Sequence, residues 1–464
     1  MDLLLKSVSW VNRYLSDYVL ITLLIGTGIY FTFRSRFVQV RCFCEGWKRV
    51  FGGFSLNGKH DKSGLSPFQA LATAVAAQVG TGNVVGASGA ILTGGPGAIF
   101  WMWVIAFFGM ATIYAEAVLA QVTRVKDETG LYHGGPVFYI HKAFPNWFGT
   151  ALAFFFAVAS TISLGFMGSM VQANSIGETC HNAFGLPTWV IGLVIAGIAM
   201  VIFIGGISRI ASVSEKLVPL MAGIYLVGGL LVLIARFEYI PQTFAMIFRY
   251  AFEPEALIGG GFGYAIKIAV SQGVKRGLFS NEAGMGSTPH AHAVAVVDKP
   301  HDQGVVAMVG LFVDTAVVVT MTALIVISTV YTGNGPLANA TGSTYAELLA
   351  NSGLTKTNLV QYAVSSVSCE SVGNIFVAIC LLFFAFSTII SWSYFGKINF
   401  QYLFGSKAVI IYSLLGVLFI FVGTLVKNDL VWELQDMFNQ LMVLPNVIAL
   451  WALGKVVFDA ARNK

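Results

Sequence analysis

Long apolar runs constrain the fold of this chain more than any other feature. Residues 191–204 and 408–426 are strongly hydrophobic throughout, without the alternation of apolar and polar positions that membrane barrel strands show. Hydrophobic residues make up 56% of the 464 residues and charged residues only 11%, which is about half the charged share of a soluble domain. The sequence therefore predicts an all-α integral membrane protein whose main partner is the lipid bilayer.

The apolar runs divide into eleven predicted transmembrane helices. With the N-terminus outside and the C-terminus in the cytoplasm, the cytoplasmic loops carry most of the lysines and arginines, which is the usual positive-inside bias. The basic segment 34–62 is therefore interpreted as a topology signal, and no nucleic-acid partner is expected. The predicted spans are about 18–33, 67–93, 96–123, 148–175, 188–206, 213–235, 257–296, 304–332, 373–395, 407–426 and 430–453.

We interpret the chain as one domain with three parts. Residues 1–66 hold an N-terminal amphipathic segment expected on the membrane surface, a leading helix and a basic cytoplasmic loop. Residues 67–235 and 236–464 each hold five predicted helices, and an odd number gives the halves opposite topologies, as in an inverted repeat. The long loop 333–372, expected outside, is interpreted as a lid over the site, with a passive cap as the alternative.

Glycine-rich interruptions fall in the first helix of each five-helix part. Residues 78–98 (QVGTGNVVGASGAILTGGPGA) and 277–286 (GLFSNEAGMG) lie within predicted spans, although glycine is a poor helix former. Backbone freed from helical bonding cannot face lipid, so such segments must line an enclosed cavity. Two broken helices at corresponding positions indicate the substrate and ion site of a secondary transporter.

Polar residues near the breaks are the candidate site residues. Free amides at a helix break suit a carboxylate, whereas free carbonyl and hydroxyl oxygens suit a hard cation such as sodium. We prefer this function for the GTGN string over close helix packing alone. For Trp392, spacing alone favours ordinary aromatic packing or a position at the membrane surface. The other candidates are Gln78, Gly80, Thr81, Gly82, Asn83, Gln172, Phe279, Ser280, Asn281, Ser387, Thr388 and Ser391, with the helix expected to unwind at residues 279–281.

Carboxylates within the spans are functional hypotheses by default, because an unpaired charge is costly there. They are Glu116, Glu215, Glu282 and Asp314. For Asp314 we favour a structural pair over a role in cation coupling. The expected partner is one of Lys267, Lys275 and Arg276.

Motifs of enzymes and resident metal sites do not occur in the sequence. The chain has no G-x-S-x-G, H-E-x-x-H or nucleotide-binding P-loop string, so we do not expect an enzyme. Cys42 and Cys44 have no histidine or further cysteine at ligand spacing, and His290 and His292 are interpreted as polar residues at the cytoplasmic end. No metal beyond a transported cation is expected. Whether residues 180 and 369, both cysteines expected outside, form a bridge stays open.

The strings GTGNVVGASGAILTGGPGAIFWMW and KRGLFSNEAGMGS resemble the alanine or glycine:cation symporter family of prokaryotes, and the resemblance covers nearly the whole chain. It implies the amino acid–polyamine–cation superfamily and the fold of the bacterial leucine transporter plus one extra helix. It further implies sodium-coupled, in some members proton-coupled, uptake of alanine or glycine across the plasma (inner) membrane, without a bound cofactor. The alternatives are a proton-coupled symporter of the same substrates, an uncoupled facilitator, and, from another class, a membrane-embedded enzyme or an amino-acid sensor. The lack of catalytic motifs argues against the enzyme, and the lack of a soluble output domain argues against the sensor. A monomer is expected.

The resemblance also implies which residues contact the transported species. A tryptophan wall would leave room for only a small substrate side chain. Sodium would lie between the first broken helix and the helix of Ser387 and Thr388, with backbone oxygens near Val79 and Gly82 as further ligands. The implied or candidate substrate contacts are Gln78, Thr81, Gly82, Asn83, Gln172, Phe279, Ser280, Asn281, Thr388 and Trp392.

Overall fold

The computed structural model describes residues 2–52, 65–126, 130–204, 206–426 and 428–462. Residues 53–64 of the predicted basic loop therefore lie outside the described part. Most described residues are helical, and the first half of the chain contains α1 (Asp2–Tyr14), α2 (Ile21–Arg34), α3 (Val38–Arg41), α4 (Phe43–Phe51), α5 (Pro67–Gln78), α6 (Ala87–Gly94), α7 (Gly97–Thr123), α8 (Pro136–Ala143), α9 (Trp147–Ser160), α10 (Gly168–Phe184), α11 (Thr188–Ile204) and α12 (Gly206–Ala235).

The second half continues the same all-helical arrangement. Its helices are α13 (Ile240–Phe252), α14 (Glu255–Ile258), α15 (Phe262–Asn281), α16 (Pro289–His292), α17 (Pro300–Phe312), α18 (Thr320–Val330), α19 (Tyr345–Ser352), α20 (Leu359–Ser365), α21 (Glu370–Phe404), α22 (Val409–Gly423), α23 (Asn428–Ala452) and α24 (Gly454–Arg462).

In the described part of both halves, four π-helical segments join or interrupt the α-helices, at Leu15–Leu20, Gly82–Gly86, Thr161–Met167 and Val313–Val319. Short 3₁₀ turns occur at Phe237–Tyr239 and Ser406–Ala408. Strands β1 (Val125–Lys126) and β2 (Tyr132–His133) form one short antiparallel pair.

The apolar helices confirm a multi-pass membrane protein. Within the described ranges, seven helices are long and apolar enough to cross a membrane, or up to nine if each bent pair counts as one span. The shorter apolar helix α11 and the more polar α15 also coincide with predicted spans. The predicted count of eleven and the division into two five-helix repeats stay predictions.

The N-terminal segment differs from the expected separate surface helix. Residues Leu3–Arg34 form one long helix, in which the π-helical turn joins α1 directly to α2. The Asn12 side-chain amide donates to the backbone oxygen of Glu433 at 2.7 Å and to its carboxylate at 2.6 Å. The face of α1 that carries Asn12 therefore packs against α23. The sequence pattern alone could not indicate this contact.

The first predicted break is confirmed. Ser66 and Gln69 form a reciprocal capping box with Pro67 in the first turn, which sets the start of α5. The helix ends at Gln78, and the chain resumes as the π-helical segment Gly82–Gly86 and α6 after a bend of 44°. The link between the two helical segments is residues 79–81, so it overlaps the first two residues of the GTGN string.

The second break lies slightly later in the chain than predicted. Phe279, Ser280 and Asn281 form the last turn of α15, so the expectation that the helix unwinds at them is wrong. Unwinding begins at Glu282, whose φ of 60° is left-handed and cannot continue a right-handed helix. Pro289 takes the first-turn position of α16, as predicted.

The two breaks lie inside the helical bundle. Helix α5 packs on α12, α17 and α21, while α6 and the π-helical turn before it pack on α15. Near one end, Leu65 exchanges backbone hydrogen bonds with Val294 and Val296, at 3.1 and 2.9 Å. At the other end, α19 covers α6, where the Tyr345 hydroxyl donates to Leu92 at 2.8 Å. The bundle thus surrounds both unwound segments with protein, as backbone at membrane depth requires.

Candidate functional site

Two backbone amides at the first break are bound by side chains instead of by helix carbonyls. The Gly80 amide donates to Asn83 Oδ1 at 3.0 Å, and the Thr81 amide donates to Gln172 Oε1 at 3.1 Å. In a continuous helix these amides would bind the carbonyls of Ala76 and Ala77, four residues earlier. The break therefore leaves those two carbonyls without their helical donors.

The hydroxyls of Ser387 and Thr388 on α21 occupy the place of the missing donors. Ser387 Oγ lies 3.2 Å from the Ala76 oxygen, and Thr388 Oγ1 lies 3.0 and 3.2 Å from the Ala76 and Ala77 oxygens. Both side chains are fully buried. Two hydroxyl and two carbonyl oxygens thus converge, which is the ligand type that hard cations prefer. The carbonyls of Val79 and Gly82 stay predicted ligands.

Glycine at two positions allows neighbouring helices to approach the break. A Cβ atom on Gly80 would overlap Thr388 Oγ1, and one on Gly82 would lie 2.9 Å from Phe279 Cδ1 and 3.0 Å from Ser280 Cα. These distances are shorter than van der Waals contact. The small residues therefore bring α21 and α15 against the unwound backbone from different sides.

The structure brings the two breaks into direct contact. The Gln78 side-chain amide donates to the backbone oxygen of Asn281 at 2.7 Å. Asn281 also accepts from the Ala283 amide at 3.1 Å, which caps the end of α15. The candidates from the two breaks, far apart in sequence, therefore form one cluster, together with Gln172 and Thr388.

Aromatic rings cover this cluster on one side. The Phe279 ring centroid lies 5.7 Å from that of Trp392 and 4.8 Å from that of Trp432. Trp392 is buried, and its indole nitrogen donates to Glu282 Oε1 at 2.6 Å. Gly168 packs against this indole with no room for a Cβ atom. Trp392 therefore lies in the interior beside the breaks and not at the membrane surface.

The expected ion pair of Asp314 is wrong. Its carboxylate accepts from Asn83 Nδ2 at 2.6 Å, from Ser280 Oγ at 2.9 Å and from Thr315 Oγ1 at 2.8 Å, all neutral donors. The basic residues named as partners bind elsewhere: Lys267 to the Tyr18 hydroxyl, and Lys275 and Arg276 to Asp436. Residue spacing along the chain contains no information on distance, so it could not distinguish Asp314 from Asp436 as the partner of these basic residues.

Asp436 on α23 is a site-region residue that the sequence interpretation missed. Its buried carboxylate lies 2.7 Å from Lys275 Nζ and accepts two bonds from Arg276, at 3.2 and 2.8 Å. The sequence contained one indication of its role. Asp436 is an acid within a predicted span, and the basic residues Lys275 and Arg276 in another predicted span require an acidic partner. This cluster ties α15 to α23 one turn from Phe279.

A third basic side chain, Lys356 from the long loop, joins this cluster. The Lys356 ammonium lies 5.2 Å from the centroid of the Trp432 ring and the Arg276 guanidinium lies 4.8 Å from it, within the range of cation–π attraction. Burial and then the nearby Arg276 charge lower the pKa of Lys356. Lys356 therefore joins the loop 333–372 to α23, through the Trp432 ring and the Asp429 carboxylate, which lies 3.2 Å from its ammonium group.

The other three carboxylates predicted within the spans have neutral hydrogen-bond partners. Glu116 accepts from the amides of Gly284 and Gly286 at 3.2 and 3.0 Å and from Asn446 at 2.7 Å, so it fixes the unwound segment after α15. Glu282 accepts from Ser287 and Trp392. Glu215 accepts from Gln69 at 3.0 Å.

The histidines and cysteines also have defined surroundings. His290 bonds to Asn399 at 2.9 Å, and His292 to Gln303 at 2.8 Å. The five cysteines are free thiols, including Cys180 and Cys369. The sequence interpretation did not group Cys42 with Glu45 and His301. In the structure, one possible ligand atom from each of the three lies within 4.8 Å of the other two. There the His301 ring also lies 3.5 Å from the Glu45 carboxylate, as in an ion pair between α17 and α4.

Comparisons with known proteins agree with this architecture. The family model for the sodium:alanine symporter family matches residues 1–463. The chain is 40% identical over 461 residues to the sodium/alanine symporter AgcS of Methanococcus maripaludis, covering 98% of this chain and 96% of the relative. It is 38% identical over 458 residues to the probable sodium/glutamine symporter GlnT of Bacillus subtilis, covering 98% and 90%.

A solved structure supports the fold independently. The crystal structure of MhsT in complex with L-phenylalanine superposes with a TM-score of 0.57 at 15% identity, covering 87% of this chain and 100% of that one. At this identity the likeness shows the fold alone. The family-model match over residues 1–463 and the 40% identity to AgcS show that this chain belongs to the sodium:alanine symporter family of amino-acid transporters.

Proposed function

We propose that this protein is a sodium-coupled symporter that carries alanine, glycine or both into the cell by alternating access. The observation that carries the proposal is the set of four buried oxygens at the first break, from Ala76, Ala77, Ser387 and Thr388. Neutral oxygens in this number suit sodium, which gives up its hydration shell for comparable ligands. Val79 and Gly82 would add backbone oxygens when the cation binds.

The substrate would bind beside this cation, between the two breaks. Its carboxylate would meet the backbone amides of Thr81 and Gly82, where the break exposes donors. The Thr81 hydroxyl is buried and has no hydrogen-bond partner among the described residues, so it can bind a ligand without losing a bond. Phe279 and Trp392 would bound the side-chain end, which favours a small substrate. Gln78, Asn83, Gln172, Ser280, Asn281 and Thr388 complete the proposed substrate contacts.

Cation binding would prepare the site for the amino acid. A sodium ion held between α5 and α21 would fix the broken helix in the conformation that presents its amides. The two halves would then rock about the occupied site. One charge moving down the membrane potential supplies about 2.3 kcal/mol per 100 mV, whereas tenfold accumulation requires about 1.4 kcal/mol.

The proposed setting is the plasma (inner) membrane of a prokaryote. The protein would act as a monomer in the bilayer, with the N-terminus and loop 333–372 outside and the C-terminus in the cytoplasm. The basic cluster at Lys356 and Arg276 would then close the route from the outside to the site. Proton coupling and uncoupled diffusion are the competing modes of transport.

Uptake into proteoliposomes tests the proposal directly. Radiolabelled alanine should accumulate only with an inward sodium gradient, and excess glycine should block it. Equal uptake without sodium would contradict sodium coupling. A pH gradient in sodium-free buffer would then distinguish proton coupling, which responds to the gradient, from a facilitator, which does not.

Gly80→Ala should weaken sodium binding while the helices stay intact. The added methyl group overlaps Thr388 Oγ1 and pushes this hydroxyl away from the Ala76 and Ala77 oxygens. We expect the sodium concentration for half-maximal uptake to rise about tenfold or more, a loss of about 1.4 kcal/mol. Gly197→Ala on α11 is the matched control, since its Cβ atom meets nothing within 4 Å. An unchanged sodium dependence in Gly80→Ala would place the cation elsewhere.

A further inference from the structure

Cys42, Glu45 and His301 bring three kinds of metal-binding side chain together, outside the site at the two breaks. One ligand atom from each lies within 4.8 Å of the other two. Cys42 directly precedes α4, Glu45 lies in the first turn of α4, and His301 lies in the first turn of α17. The expectation of no resident metal rested on spacing along the chain, which could not group side chains from positions that are 256 residues apart.

The nitrogen and oxygen ligands of this cluster are already separated as in a metal centre. His301 Nε2 lies 3.5 Å from Glu45 Oε2. Ligands bound tetrahedrally to zinc at about 2.0–2.3 Å lie about 3.3–3.6 Å from one another. The Cys42 sulfur lies within 4.8 Å of a ligand atom of each partner, so it would need to approach by only about 1 Å.

The His301 ring is oriented for metal binding through Nε2. Its Nδ1 atom lies 2.7 Å from the hydroxyl of the buried Tyr114. An imidazole that donates its Nδ1 hydrogen to such a partner keeps a lone pair on Nε2, and metal-bound histidines are usually fixed in this way. An ion pair between His301 and Glu45 needs a proton on Nε2, and a bound metal takes the place of that proton.

Cys42 supplies the ligand that determines the class of metal. Its side chain is fully buried, and its thiol has no hydrogen-bond partner among the described residues. An ordinary buried cysteine packs as a small apolar residue, whereas this sulfur lies beside an imidazole and a carboxylate. Thiolate and imidazole ligands suit zinc and similar transition metals, while magnesium and calcium take oxygen ligands. The cluster is therefore chemically distinct from the oxygen ligands at Ser387 and Thr388.

Glu45 has one carboxylate oxygen held by a salt bridge and one directed at the cluster. Oε1 lies 3.2 Å from Arg49 Nη2, whereas Oε2 faces His301. Arg49 also lies 2.9 Å from Asp302, so its positive charge is shared between two acids. Arg49 thus orients Glu45, as outer partners commonly do for metal-binding carboxylates. The Glu45 side chain is 31% exposed, which leaves access for the ion and for water as a fourth ligand.

We propose that Cys42, Glu45 and His301 bind one divalent transition-metal ion of the zinc class, which fixes α4 on α17. The two helices are in close contact, since a Cβ atom on Gly46 would overlap the backbone oxygen of Val305. Helix α17 in turn packs on α5, which ends at the first break. The ion would therefore hold the basic segment 34–62 against a helix that supports the transport site. This inference does not depend on which substrate or cation is transported.

Metal binding to the purified chain tests the inference directly. In detergent, with a reductant that does not bind metals, the chain should compete with a chromophoric chelator for one zinc ion. Cobalt, used as a spectroscopic substitute for zinc, should give a thiolate-to-cobalt charge-transfer band. Because a ligand that binds only the folded state stabilises it, zinc should also raise the thermal unfolding midpoint. No zinc binding in competition with the chelator would overturn the inference.

Two cysteines close in sequence provide a matched pair of variants. Cys44→Ala removes an exposed thiol outside the cluster and should keep the zinc affinity, the cobalt band and the stabilisation. Cys42→Ala should weaken zinc binding at least about 100-fold and lose the cobalt band. If Cys42→Ala does not fold, Glu45→Gln replaces it, because this side chain is partly exposed, and should weaken zinc binding about tenfold or more. Equal zinc affinities for the natural chain and a folded variant of Cys42 or Glu45 would contradict the proposed site.

Discussion

Replacing Ser387 and Thr388 together by alanine is expected to abolish sodium-driven uptake at physiological sodium concentrations. A bond from a neutral group to a charged one contributes about 1.5–3 kcal/mol, so losing two oxygens should weaken sodium binding at least about 100-fold. The hydroxyls also donate to the Phe384 carbonyl within their own helix. Helix α21 does not depend on these bonds, because its backbone ladder remains. Uptake measured against sodium concentration reports the loss.

Two companion variants separate this effect from general damage. Thr388→Ser keeps the oxygen and should retain most of the sodium affinity. Ser413→Ala on α22 removes a hydroxyl that likewise bonds a carbonyl four residues earlier, at 3.0 Å, but lies away from the breaks. It should behave as the natural chain does. If the double variant kept its sodium dependence, the proposed cation site would have to be abandoned.

Replacing Asp436 by alanine is expected to cause the largest loss of stability. Its carboxylate pairs with both Lys275 and Arg276, which are each about 9% exposed. Its removal leaves Arg276 without an ionic partner among the described residues and Lys275 with only the Glu433 carboxylate, 3.8 Å away. Breaking a buried ion pair in this way costs about 3–5 kcal/mol. Thermal unfolding of the protein in detergent, followed by tryptophan fluorescence, should show a markedly lower midpoint.

The control is an acid in an exposed ion pair of the same region. Asp429 lies 3.2 Å from Lys356, but its side chain is 79% exposed. Asp429→Ala should therefore cost no more than about 1 kcal/mol. Equal unfolding midpoints for the two variants would mean that the charges of Lys275 and Arg276 are neutralised by other groups.

The first break could be predicted from the sequence because its cause is local. Glycines and small polar residues around Thr81 disfavour a continuous α-helix by their own conformational preferences. The second break is predicted too early because local preferences do not mark its true position. Phe279, Ser280 and Asn281 are compatible with a helix, and the left-handed conformation of Glu282, a residue type that rarely adopts it, ends α15.

The details of the site could not be predicted because they depend on distant partners. Which carbonyls become free at the first break depends on the side chains that bind the amides, and Gln172 lies 91 residues from Thr81. The basic pair on α15 likewise meets Asp436 160 residues later. Sequence patterns identify the residue types that fit a site, whereas the choice among several acids or oxygens follows from packing.

The side chains that bind the Gly80 and Thr81 amides have a consequence for turnover. An amino-acid carboxylate that reaches the Thr81 amide must displace Gln172 Oε1, so it exchanges one hydrogen bond for another and gains little net free energy. When the substrate carboxylate leaves, the Thr81 amide again donates to Gln172 Oε1, so it does not remain without an acceptor. The Thr81 amide is thus hydrogen-bonded both with and without substrate. In the proposed transport cycle, this balance would favour release of the substrate, because a tightly bound substrate dissociates slowly.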